Sequence, residues 1–97
     1  MVYRRKLSQE EAARGRLLLL KSMWKVFPKP GEQALLRYGQ RVHGAAVEAD
    51  DCICVPPAHQ HYYLALGPLA AEMDLRPGSV VEFERQHDGS FEARLAS

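Results

Sequence analysis

The dipeptide Asp88-Gly89, set between two alternating runs, constrains this chain more than any other feature. Asp-Gly is a preferred two-residue hairpin turn because its backbone tolerates the positive φ that twisted antiparallel strands require. The flanking runs are Ser79–Arg85 and Phe91–Leu95. Strand alternation puts Val81 and Phe83 on one face with Glu82 and Glu84 on the other, and sets Phe91, Ala93 and Leu95 toward a core with Glu92 and Arg94 toward water. Arg76-Pro77-Gly78 forms a tight turn ahead of it. Shorter β-like runs are expected at 40–47, 52–55 and 62–66, with Asp50-Asp51 and Pro56-Pro57 as the turns between them. Gly67 to Met73 reads as a short helix with Pro68 in its first turn.

The N-terminal third carries a different pattern. Ser8-Gln9-Glu10-Glu11 is a capping box, with Leu7 and Ala12 in the two staple positions. A long helix is expected to run from it to Val26 or Phe27, where Pro28 ends it. Arg14, Lys21 and Lys25 would then fall within about 20° of one another as a basic stripe. Ala12, Leu19, Leu20, Met23, Trp24, Val26 and Phe27 would spread over the apolar face. Two residues disagree: Arg16 points into that apolar face, and Gly15 weakens a helix by about 1 kcal/mol relative to alanine. Pro28-Lys29-Pro30-Gly31 is a turn. Residues 32–38 fit either a second short helix closed by Gly39 or the lead into a strand.

The predicted class is therefore α+β. A long N-terminal helix precedes a small antiparallel β-barrel or curled sheet of four to five short strands, with one short helical insert. The 97 residues make one domain, in which 1–27 is a basic arm and amphipathic helix, 28–39 a turn and possible short helix, and 40–97 the barrel. No apolar run approaches the roughly 18 residues a membrane span needs, so no membrane association is expected. Two cysteines only two positions apart fit a reducing, cytoplasmic setting better than a structural disulfide.

A net charge of +1 conceals an asymmetry. Residues 1–43 hold ten Lys/Arg against three Glu, a balance of +7, and residues 44–97 hold three Arg against nine acids, a balance of −6. Either the basic half faces an acidic partner or the two halves neutralise each other, within one chain or across a homodimer.

The segment Leu75-Arg-Pro-Gly-Ser-Val-Val-Glu-Phe-Glu84, followed by Asp88-Gly-Ser-Phe-Glu-Ala-Arg-Leu95, resembles the end of AbrB/MazE-like DNA-binding domains. That resemblance implies a small barrel in which two chains interlock their hairpins and nearby basic residues contact DNA. The hairpin here is acidic, which moves the expected DNA contact to the N-terminal segment.

Cys52-Ile53-Cys54 and His59-Gln60-His61 have the chemistry of a tetrahedral zinc site, two thiolates and two imidazoles. The other reading is small core cysteines and a polar histidine loop, with no cofactor. Cys54 beside His59 or His61 lacks an oxyanion hole or a third orienting group, so no enzyme is expected. Tyr62 and Tyr63 are adjacent, so on a strand one faces inward and one outward; the outward one reads first as an ordinary surface residue and second, near Arg41 and His43, as a platform for stacking on a base. Trp24 beside Lys25 reads first as core and second as a contact site.

The function expected from these features is a non-catalytic, regulatory nucleic-acid-binding or transcription-associated module. Arg4, Arg5, Lys6, Arg14, Arg16, Lys21, Lys25 and Arg41 are its candidate phosphate contacts. The alternatives are a protein-interaction or homodimerisation module that docks its apolar helix on an acidic protein partner, and a zinc-stabilised domain.

Overall fold

The hairpin predicted around Asp88-Gly89 is present in the computed structural model, which describes residues 2–52 and 59–96. Strands β6 (Val80–Arg85) and β7 (Phe91–Leu95) pair antiparallel, with Phe83 opposite Ala93 and Arg85 opposite Phe91. Gly89 supplies the turn with φ +87°. Val81, Phe83, Phe91 and Ala93 are buried as their alternation requires, whereas Leu95, at the open end of the last strand, is 39% exposed.

The remaining elements are β1 (Val2–Lys6), α1 (Gln9–Arg14), β2 (Arg16–Leu19), a 3₁₀ turn (Lys21–Met23), β3 (Gln33–Tyr38), β4 (Arg41–Cys52), β5 (His59–Ala65) and α2 (Pro68–Glu72). The seven strands form one sheet in the order β1-β6-β7-β3-β4-β5-β2. All pairings are antiparallel except β3 with β7, which is parallel. The two edge strands, β1 and β2, are separated in sequence only by the segment containing α1. The sheet therefore has to curl until its edges meet, giving a half-barrel with Leu17, Leu36, Leu64, Leu66, Phe83 and Phe91 at its centre.

The α+β expectation is corrected: the described chain is mostly β, with two short helices and no long N-terminal helix. The capping box is real, for the Ser8 hydroxyl accepts from the Glu11 amide and the Glu11 carboxylate accepts from the Ser8 amide. The helix it starts lasts six residues. Gly15 ends it in the left-handed conformation at φ +66°, and its amide donates back to the Glu11 carbonyl. A Cβ there would stand 3.0 Å from the Ala70 Cβ, so the glycine also permits close approach of α2. Beyond it, Leu17 and Leu19 are buried with the period of a strand, and β2 pairs with β5. Residues 16–27 carry an apolar pattern compatible with a helix, but the barrel needs a strand at this edge, and tertiary pairing overrides local propensity.

Strand pairing decides three further points. Residues 33–38 are a strand, joined to β4 through Gly39 at φ +61°. Asp50 and Asp51 are not a turn. They lie inside the 12-residue strand β4, opposite His61 and Gln60. The Leu17–Leu20 run is not a docking face, since Leu17 and Leu19 are core and only Leu20, at 46%, is markedly exposed. The short helix with Pro68 in its first turn is found as expected.

Candidate nucleic-acid interface

Charge placement decides which side chains are available to a ligand. The acidic second half folds onto the basic first half of the same chain. Arg4 meets Glu82 at 3.8 Å, Arg16 meets Glu48 at 3.8 Å and Asp50 at 2.9 Å, Arg37 meets Asp88 at 3.3 Å, and Arg41 meets Glu72 at 2.7 Å. Within the first half, Arg5 pairs with Glu11 and Arg14 with Glu10. The sequence asymmetry is thus largely neutralised inside one chain.

Several of these pairs anchor elements. Burial opposes ionisation of Glu72, but hydrogen bonds from Arg41 and from His43 at 2.9 Å hold its carboxyl below the usual range, tying α2 to β4. The Ser90 hydroxyl and amide both donate to Asp88 and lower its pKa, which leaves it charged opposite Arg37. The Arg16 guanidinium lies 4.0 Å from the centre of the Tyr63 ring, so the cation that seemed misplaced on a helix is held by stacking and two acids on the sheet.

Among the described residues the four lysines, Lys6, Lys21, Lys25 and Lys29, have no carboxylate partner. Three of them lie on the segment between β2 and β3, where no Asp or Glu occurs from Leu20 to Gly31. All three are exposed. Phe27 roots this segment in the core, stacked on Phe91 at 4.5 Å and edge-on to Tyr3 and Phe83. The Trp24 indole N–H donates to the Leu19 carbonyl at 3.0 Å, and its ring stacks on Tyr62 at 4.0 Å and 20°. Lys21 lies 5.9 Å from the Trp24 ring centre. At the far end the Gly31 amide donates to Val47 and the Val47 amide to Glu32, while the Glu32 carboxylate accepts from the Lys29 amide.

The result is a rooted loop that carries three compact, hydrated positive charges and a single acid, Glu32, which stands at its far end and accepts from the Lys29 amide. Such charges contact phosphates as points rather than as bidentate forks.

The residues expected from the sequence are scattered by the fold. Lys21 and Lys25 share the loop; Arg14 ends α1; Arg4, Arg5 and Lys6 lie on β1; Arg16 is on β2 and Arg41 on β4. Arg5 is drawn into the seam between α1 and the sheet edges, with its side chain 23% exposed. Lys29 and the Trp24–Tyr62 bracket were missed by the sequence reading. The signal for Lys29 was the acid-free stretch itself. Nothing local announces that Trp24 meets a residue 38 positions later.

Of the four zinc candidates, Cys52, His59 and His61 lie on the paired strands β4 and β5. The β4–β5 register sets Cys52 opposite His59, while Cys54 lies outside the described residues. Among the described residues no group of three or more His, Cys, Asp or Glu side chains is gathered to hold a metal. No helix among them is long and apolar enough to cross a membrane.

Sequence comparison with family models and with curated proteins gives no match. The fold does have counterparts among solved structures. A complex of Arabidopsis FUS3 with DNA superimposes with a TM-score of 0.78 at 13% identity, over 98% of this chain and 95% of that one. The Arabidopsis thaliana transcription factor LEC2, also solved as a DNA complex, gives 0.68 at 12% identity, over 99% and 95%. The N-terminal domain of Helicobacter pylori LlaJI.R1 gives 0.67 at 13% identity, over 98% and 86%. At identities this low the comparison establishes a shared fold.

Proposed function

We propose that this chain is a regulatory, non-catalytic module that binds DNA through the loop between β2 and β3. The observation that carries the reading is the distribution of unpaired charge. The arginines of the first half are engaged by carboxylates, whereas Lys21, Lys25 and Lys29 are exposed and unpaired on one rooted loop. A polyanion gains affinity from such lysines by releasing condensed counterions, without any reading of sequence. The FUS3 and LEC2 structures, both solved with DNA, support the choice of DNA as that polyanion. The hairpin of residues 75–95 that resembles AbrB/MazE-like domains pairs here with β1 and β3 of its own chain, so the reading requires no swapped dimer.

The test is a titration of labelled duplex DNA followed by fluorescence anisotropy over a range of salt. Binding should weaken steeply as salt rises, with each phosphate contact adding about 0.9 to the slope of log K against log salt. Affinity that stays constant from low to high salt overturns the proposal.

A further inference from the structure

Beside the lysine loop lies an open groove lined by Trp24, Phe27, Pro28, Pro30 and Tyr62, with Lys25 and Lys29 also lining it. Its volume, 610 Å³, falls within the ordinary size range for small-molecule sites. Trp24 and Tyr62 are only half-buried, so the aromatic pair presents part of its surface to the groove. The Trp24 ring is held in place by its hydrogen bond to Leu19 and cannot turn away without losing it. Among the described residues the one acid in the lining is Glu32, whose carboxylate is tied to the Lys29 amide.

An apolar aromatic wall bordered by two unpaired ammonium groups matches the two chemistries of a nucleotide, a flat π-face and a phosphate. The prolines and the phenylalanine of the lining carry no side-chain hydrogen-bonding group that would distinguish one base from another. Stacking on such a platform tolerates every base, since all of them have a π-face.

We infer that this groove accepts one unpaired base of the bound nucleic acid, extending the Trp24–Tyr62 stack from its groove side, with an adjoining phosphate on Lys25 and Lys29. The inference rests on the nucleic-acid reading above and adds to it a preference for distorted or single-stranded positions. A base held in a duplex is already stacked on both sides and cannot also occupy the groove. A bulged or single-stranded base has lost that stacking and regains it here.

Trp24 is the single tryptophan of the chain, so its emission reports on the groove directly. Two labelled duplexes of the same sequence, one fully paired and one carrying a single unpaired nucleotide, are titrated at one salt concentration. The expected result is about tenfold tighter binding of the bulged duplex with quenching of Trp24 emission. Tyr62→Leu should reduce the ratio of the two affinities to about one, and Tyr62→Phe, which keeps the ring, should retain it. If wild-type protein binds both duplexes within twofold and Trp24 emission does not change, the groove is not a base site, although the lysine loop still binds DNA. If neither duplex binds, the nucleic-acid reading itself fails.

Discussion

The Tyr3 phenol donates to the Leu18 carbonyl at 2.7 Å, joining the first strand of the sheet order to the last. Leu18 pairs with Tyr63 on its other side, so the bond from Tyr3 spans the open seam of the half-barrel. Tyr3→Phe removes the donor while preserving the ring contact with Phe27. It should cost about 1 kcal/mol, the usual worth of one such bond. The measurement is a urea unfolding curve in which the midpoint falls and the m-value does not change.

Glu11 closes the same seam from α1. Its carboxylate accepts from Arg5 Nε at 2.7 Å, Arg5 Nη2 at 3.1 Å, the Leu18 amide at 2.8 Å and the Ser8 amide at 3.0 Å. Glu11→Gln leaves Arg5 facing a neutral amide in a largely buried site. A loss of about 3 kcal/mol is expected at neutral pH, read from denaturant unfolding.

The same carboxylate makes stability depend on pH. Burial pushes the Glu11 pKa up, but the bonds from Arg5, Leu18 and Ser8 outweigh it and hold the carboxyl below its ordinary value of 4.5. A group with a depressed folded pKa contributes stability in full above its unfolded pKa and loses it as pH falls through the folded value. Wild-type stability should therefore fall as pH drops below about 4.5, where the unfolded carboxyl begins to bind protons. Glu11→Gln should show a flatter acid limb, measured as melting temperature against pH. Identical acid limbs in the two proteins would assign the acid loss to other groups.

Gly15→Ala places a side chain at φ +66° and against Ala70. The backbone conformation alone costs about 1–2 kcal/mol for a residue with a Cβ. The crowding adds to it, and the melting temperature of the variant should drop by several degrees. A melting temperature equal to wild type would mean that neither the left-handed backbone nor the contact with Ala70 opposes a side chain at this position.

Salt dependence separates the lysines from the arginines. Replacing Lys21, Lys25 and Lys29 together by Gln should lower the slope of log K against log salt by about 3. Arg37, engaged with Asp88 away from the loop, serves as the comparison. Arg37→Gln should change the slope by less than about 0.5 if each phosphate contact contributes about 0.9.

Local sequence determined those elements whose signals are complete within a few residues. The Asp88-Gly89 hairpin, the Ser8–Glu11 capping box and the Pro68 helix start were all legible, because each depends on hydrogen bonds or dihedral preferences spanning two to four positions. Gly15 and Arg16 were also legible, as two discrepancies inside an expected helix. Their resolution was not local. Whether residues 16–19 form a helix or a strand depends on β5, some 45 positions away, which offers a ladder and buries Leu17 and Leu19 between neighbours. Residues 33–38 are locally compatible with helix or strand for the same reason, and pairing with β4 and β7 makes them a strand.

The binding surface divides along the same line. The excess of positive charge in the first half was evident from counting, and so was the acidic excess of the second. Counting could not say which cations the acids would reach, because Arg37 meets Asp88 and Arg41 meets Glu72 only after the sheet curls. Tertiary structure made that selection by bringing carboxylates within about 4 Å of the arginines and leaving the lysines of the loop in water. Composition sets how much charge a chain carries; the fold determines, through distance, which of it remains for a partner.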